Sequence, residues 1–220
     1  MSQTDTAVTR LSMDTTFKAL ASRRRRQILA ILSEHRTTDP LPLEELVRSL
    51  VDGADVDADA MAKRCRIELV HCELPLLQEA GLLSWNREEG TITIPSELSF
   101  DVSLLELTTT RTDDTTDWDA LFSALADGRR RLALSILAEA DEPLPLETLT
   151  ATVAERGTNG QDRAALAVAL RHQHLPLLEE AGVVTVDDGL VTDTWDRLEE
   201  SVLDVDDRSV SSSIVVAAHH

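Results

Sequence analysis

Residues 71–83 read HCELPLLQEAGLL, and residues 172–184 read HQHLPLLEEAGVV. In both, Leu-Pro-Leu-Leu sits in a leucine-rich helical pattern, Glu-Ala-Gly stops the helix, and a pair of leucines or valines can open a strand. The two stretches are copies, so the chain is a tandem repeat. Working outward, LASRRRRQILAIL at 20–32 matches LADGRRRLALSIL at 125–137, and PLPLEEL at 40–46 matches PLPLETL at 143–149. The offset is 105 at Phe17 and Phe122, 103 at the proline turns and 101 at His71 and His172. Such a drift is what small loop deletions between fixed elements produce.

Each copy therefore reads helix, helix, proline turn with a short helix, long helix, hairpin. Phe17 and Leu20, then Ile28, Leu29, Ile31 and Leu32, fall at helical spacing, with Ser22 as cap of the second helix and Asp127 in its place in the second copy. The hairpins are LLSWNREEGTITI around Arg-Glu-Glu-Gly and VVTVDDGLVT around Asp-Asp-Gly. The expected layout is a polar tail at 1–10, a domain at 11–95, a linker at 96–116, a second domain at 117–195, and a C-terminal helix and tail at 196–220.

Composition supports a helical fold. With three Phe, three Trp and no Tyr, the core must come from Leu, Ala, Val and Ile, which suits packed helices better than a large sheet. The 40 acidic residues against 21 basic ones give a net charge of −19. An acidic, lysine-poor surface fits a cytoplasm held at very high salt. There the Debye length is only about 3 Å, so net charge no longer decides whether DNA can approach. Cys65 and Cys72 lie on one predicted helix and are read as reduced thiols. The N-terminal residues lack a signal-peptide core and no apolar run reaches spanning length, so a soluble, cytoplasmic chain without membrane contact is expected.

The arginine run cannot face one partner, because consecutive helical residues turn by about 100°. Arg25 falls at the rim of the buried stripe, where its head would find a carboxylate such as Glu79. Arg23 and Arg26 fall with Gln27, Ala30 and Glu34 on the solvent side, at a helix start suited to phosphate. A straight wheel of the long helix buries Ile67, Leu69, Val70, Leu74, Leu76 and Leu77. It leaves Arg64, Glu68, His71, Pro75, Gln78 and Glu79 outward. In the second copy the outward places hold Ala165, Ala169, His172, Pro176, Glu179 and Glu180, a face with little for a base edge, and Arg171 falls inside the apolar arc. Pro75 and Pro176 cannot donate to the carbonyls of His71 and His172, so a kink is expected in both copies. Cys65, His71 and Cys72 do not converge as zinc ligands would, and no metal or cofactor is expected. No phosphate loop, dinucleotide fingerprint, HExxH or GxSxG is present, and no catalytic residue stands out.

The order of elements, with the arginine run opening the second helix and His71, Leu74, Pro75, Leu77, Glu79, Ala80 and Gly81 closing the last, resembles the winged helix-turn-helix domains of small prokaryotic regulators. More narrowly it resembles a haloarchaeal winged-helix domain family. The resemblance covers most of 11–95 and, more loosely, 117–192. It implies a mainly α fold with small β-hairpin wings, built as two tandem winged helix-turn-helix domains. It also implies a regulator of transcription that binds double-stranded DNA, with Arg23, Arg26, Lys63, Arg64, His71, Gln78 and Arg87 as the contacts and a degenerate second copy. The alternative is a module that keeps the shape but binds a protein partner or itself.

Overall fold

The computed structural model describes residues 13–35, 40–52, 58–95, 108–109, 116–157 and 163–194. The expected tail at 1–10, most of the linker and the C-terminal stretch from 196 lie outside them. Helices α1 (Met13–Leu20), α2 (Arg23–Glu34), α3 (Leu43–Val51), α4 (Ala58–Glu68) and α5 (Leu74–Glu79) form the first half, with strands β1 (Leu41–Pro42), β2 (Ser84–Asn86) and β3 (Thr91–Thr93). The second half repeats them as α6 (Trp118–Leu125), α7 (Gly128–Ala138), β4 (Leu144–Pro145), α8 (Leu146–Arg156), α9 (Arg163–Ala169), α10 (Leu175–Glu180), β5 (Val184–Asp187) and β6 (Leu190–Asp193). Each half closes a small antiparallel sheet, in the orders β1-β3-β2 and β4-β6-β5. The chain is mainly helical with small hairpins, in two tandem units.

Local chemistry explains these boundaries. Ser22 occupies the N-cap position of α2 with extended backbone but makes no side-chain cap bond, whereas the Asp127 side chain accepts from the Arg129 N–H. Pro42 and Pro145 immediately precede α3 and α8, and the first helical N–H in each is taken by the hairpin glycine: Leu43 donates to Gly90 O at 2.8 Å, Leu146 to Gly189 O at 2.9 Å. A helix start that would otherwise carry orphan donors is thereby tied to the hairpin. At the other end, Gly81 and Gly182 have φ of 69° and 72°. Leu82 donates to Leu77 O and Val183 to Leu178 O across them, which satisfies the last carbonyls and turns the chain into the hairpin.

The core is leucine-rich, as composition requires. Leu20, Ile28, Leu29, Leu46, Leu69, Leu74, Leu77 and Ile92 are buried in the first half, and Phe122, Leu125, Leu134, Leu149, Leu170, Leu178 and Val191 in the second. Each such side chain contributes about 1.5–3 kcal/mol by leaving water.

The long helix is not a straight wheel. Between α4 and α5, Leu69–Glu73 forms a π-helical turn, and Leu170–His174 does the same between α9 and α10. Leu74 donates to Leu69 O and Leu175 to Leu170 O, five residues back. The cause is the proline that follows. Pro75 has no N–H for His71 and its ring would press on that carbonyl, so the preceding turn widens and takes in one extra residue. The expected kink is thus a change of register. Leu69, Leu74 and Leu77 stay in the core, but Ile67 is 50% exposed and Leu76 44%, which corrects their assignment to the buried arc. In the second half Val168 is 60% exposed, and Arg171 faces solvent rather than the apolar arc.

The two halves meet through α1, α6 and the starts of α2 and α7. Phe17 and Phe122 stack with centroids 6.2 Å apart and planes at 29°, and Trp118 packs beside Phe122. Arg26 Nη1 donates to Asp119 Oδ1 at 2.6 Å and Leu20 O at 2.8 Å, with the guanidinium 5.3 Å from the Phe122 centroid. Arg131 Nη1 reaches Asp14 Oδ1 at 2.8 Å and Leu125 O at 2.7 Å, and lies 5.6 Å from the Phe17 centroid. The ion pair, the carbonyl bond and the ring contact of Arg26 are each returned by the residues 105 positions away. The seam is therefore isologous, as in a twofold homodimer.

Candidate nucleic-acid interface

Arg26 is the first of the expected contacts to be relocated. It is 2% exposed, and so not on the solvent side. Burial lowers its pKa, and the hydrogen bond and charge of Asp119 oppose that shift. The seam covers the face of α2 that an isolated helix would have left to water. Ala30, read as outward beside it, is buried too. Arg23 is exposed, and its Nη2 donates to Thr109 O at 3.1 Å, which points it toward the linker.

The remaining arginines of the run anchor α2 to its neighbours. Arg24 Nη2 lies 2.8 Å from the buried Cys65 Sγ on α4, where burial raises the thiol pKa and Arg24 opposes it. Arg25 donates to Ala19 O and Lys18 O and pairs with Glu73 Oε2 at 3.3 Å, in place of the expected Glu79. In the second half, Arg130 donates to Ala124 O and to Ser123 O, the latter at 2.8 Å, and meets His174 Nδ1 at 3.3 Å, where the first half has Glu73. His174 is buried with Nε2 unpartnered, and burial lowers its pKa, with Asp127 opposing and Arg129 and Arg130 adding to the shift. Burial alone would raise the Asp127 carboxyl. The side-chain and backbone bonds from Arg129 outweigh it and hold the carboxyl well below the usual range.

Lys63, Arg64, His71 and Gln78 are all exposed along the long helix. Among the described residues neither Lys63 nor Arg64 has an ion pair, whereas Arg66 is paired with Glu44 of α3. The hairpin follows directly, and its tip is shaped by Asn86, whose Oδ1 accepts from the Glu88 and Glu89 N–H groups. Arg87 stacks 4.6 Å from the Trp85 centroid, an arrangement that orders the guanidinium while leaving its edge to solvent. The structure thus brings Lys63, Arg64, His71 and Gln78 onto one helix followed by Arg87. It sets Arg23 and Arg26 apart, against the linker and the other half.

The second half has the larger departure. Arg163, Arg171, His172 and Gln173 are exposed, so this face is not bare. Arg163 and Arg171 have no ion pair among the described residues. The signal was Pro176: a wheel drawn in two segments, with one residue added before the proline, turns Arg171 outward. Its hairpin tip is acidic, with Asp187 and Asp188 exposed and Asp188 at φ 47° in the tight turn.

Among the described residues no three His, Cys, Asp or Glu side chains gather to hold a metal ion. No described helix is long and apolar enough to cross a membrane. No match is found among curated proteins or solved structures. A family model described as a domain of unknown function, DUF7344, matches residues 17–93 and again 122–192. Those two matches take in both helical units with their hairpins, and the chain belongs to the DUF7344 family, as a tandem of two such domains.

Proposed function

We propose that the chain is a DNA-binding regulator of transcription whose two units work as winged helices. The observation that carries this reading is the exposed basic pair Lys63 and Arg64 on the first long helix, without an ion pair among the described residues, together with the exposed His71 and Gln78 further along it and the ordered Arg87 of the hairpin that follows. A helix of this width enters the major groove, where Arg pairs with guanine and Gln with adenine, while a basic wing tracks the backbone. Arg23 spends one guanidinium donor on Thr109 O and keeps the others for a phosphate. Arg26 holds the seam and touches no DNA. The net charge of −19 opposes approach in dilute buffer, so binding belongs at high ionic strength. There, short-range contacts replace counterion release.

The test is fluorescence anisotropy of a labelled duplex pool with the full chain at about molar KCl. Wild type should bind, and Arg64→Ala with Arg87→Ala should weaken binding about tenfold or more. No binding by the wild type rejects the reading. A second reading, a protein-docking module, draws on the exposed apolar positions Ile67 and Leu76, repeated as Val168 and Leu177. That reading gains if DNA binding fails and Ile67→Lys abolishes association of the chain with itself or with a protein partner.

A further inference from the structure

The seam and the π-turns, taken together, bear on the second half. Asp14 with Arg131, and Asp119 with Arg26, are the same ion pair made twice, and Phe17 stacks on its own counterpart Phe122. Such reciprocity relates the halves as the protomers of a twofold dimer are related. The seam uses α1, α6 and the starts of α2 and α7. It leaves Arg64, His71, Arg171 and Gln173 on the long helices exposed. A single chain therefore carries two outward helix faces, one in each of two halves joined by a reciprocal seam.

The two faces differ in chemistry. Arg64 corresponds to Ala165, Cys72 to Gln173 and Val70 to Arg171. The first face places its arginine at the start of the helix. The second presents Arg171, His172 and Gln173 exposed at the widened turn. Successive residues there diverge by roughly 100°, so the three fan across the outer side, with Arg171 and Gln173 flanking His172 and placed to meet different parts of a groove. The acidic tip at Asp187 and Asp188 cannot follow a phosphate backbone. Contacts of the second half must then come from its helix alone.

Resting on the DNA-binding reading above, the geometry points to a second duplex-reading site in the C-terminal half, formed by Arg163, Arg171, His172 and Gln173. The ligand is then one double-stranded DNA with two unlike half-sites at a spacing set by the Phe17–Phe122 seam. A palindrome would match one face and mismatch the other.

Selection of bound sequences from a pool of random duplexes several helical turns long, with the full chain at about molar KCl, tests this. Wild type should enrich two unlike elements at one fixed separation. Arg171→Ala with Gln173→Ala changes only exposed side chains; it should keep one element, lose the other, and weaken binding to the wild-type sequence about tenfold or more. Enrichment of a single element that the double variant leaves unchanged would overturn the second site while DNA binding stands. Failure of the wild type to enrich any sequence, with no binding to the starting pool, would overturn the reading on which it rests.

Discussion

Arg26 and Arg131 are buried guanidiniums with matching partners, so replacing either should do similar damage. Each bonds a carboxylate of the opposite half and a carbonyl of its own, and lies over the opposite phenylalanine. Arg26→Met and Arg131→Met should each destabilise the chain by about 1–3 kcal/mol, measured by denaturant unfolding at high salt. Because Asp14 and Asp119 are about half exposed, Asp119→Asn should cost less than Arg26→Met. A large loss from Arg26→Met with none from Arg131→Met would contradict the reciprocal seam. Sequence alone could not place Arg26, because a helical wheel shows which side of α2 is polar but not that another half of the same chain will cover it. The identical Asp, Phe and Arg in the two copies were the available clue.

At the scale of elements, the π-turn makes a contrast that a straight helix does not. Ile67→Ser should change stability by no more than about 0.5 kcal/mol, as expected for a surface site. Leu69→Ala, two residues on and fully buried, should cost about 2–5 kcal/mol. Equal losses at the two positions would restore the straight wheel. The element ends were legible because their chemistry is local: Asp127, Gly81, Gly182 and the Pro-Leu-Pro turns fix caps and stops within a few residues. The register of the long helix was not, since Pro75 signals a disturbance without saying whether the helix bends or widens. His174, in the second π-turn, adds a pH effect. Its folded pKa lies below the unfolded one, so its neutral form contributes stability that is complete above the unfolded value of about 6.5. That contribution is lost as pH falls below this and through the folded pKa. His174→Glu would give Arg130 the partner that Glu73 gives Arg25. The melting temperature of this variant should fall less than that of the wild type between neutral pH and about pH 5. A steeper fall in the variant would contradict the Arg130–His174 account.

For the whole molecule, the repeat predicted two like units and the structure adds how they join. What was legible in the sequence is the exposure of Lys63, Arg64, His71, Gln78 and Arg87. The exposure of Arg171 is not legible from a straight wheel, which its own proline invalidates. Joined through the seam, the chain completes its pairing surface internally. It should therefore be monomeric by light scattering in high salt, one chain having the two faces of a dimer. The most direct measurement is the titration of a labelled duplex pool with this chain across KCl concentrations up to and above about molar. Saturable binding by the wild type should persist at molar salt and be weakened by Arg64→Ala with Arg87→Ala. Absence of saturable binding at every salt concentration would contradict the DNA-binding reading.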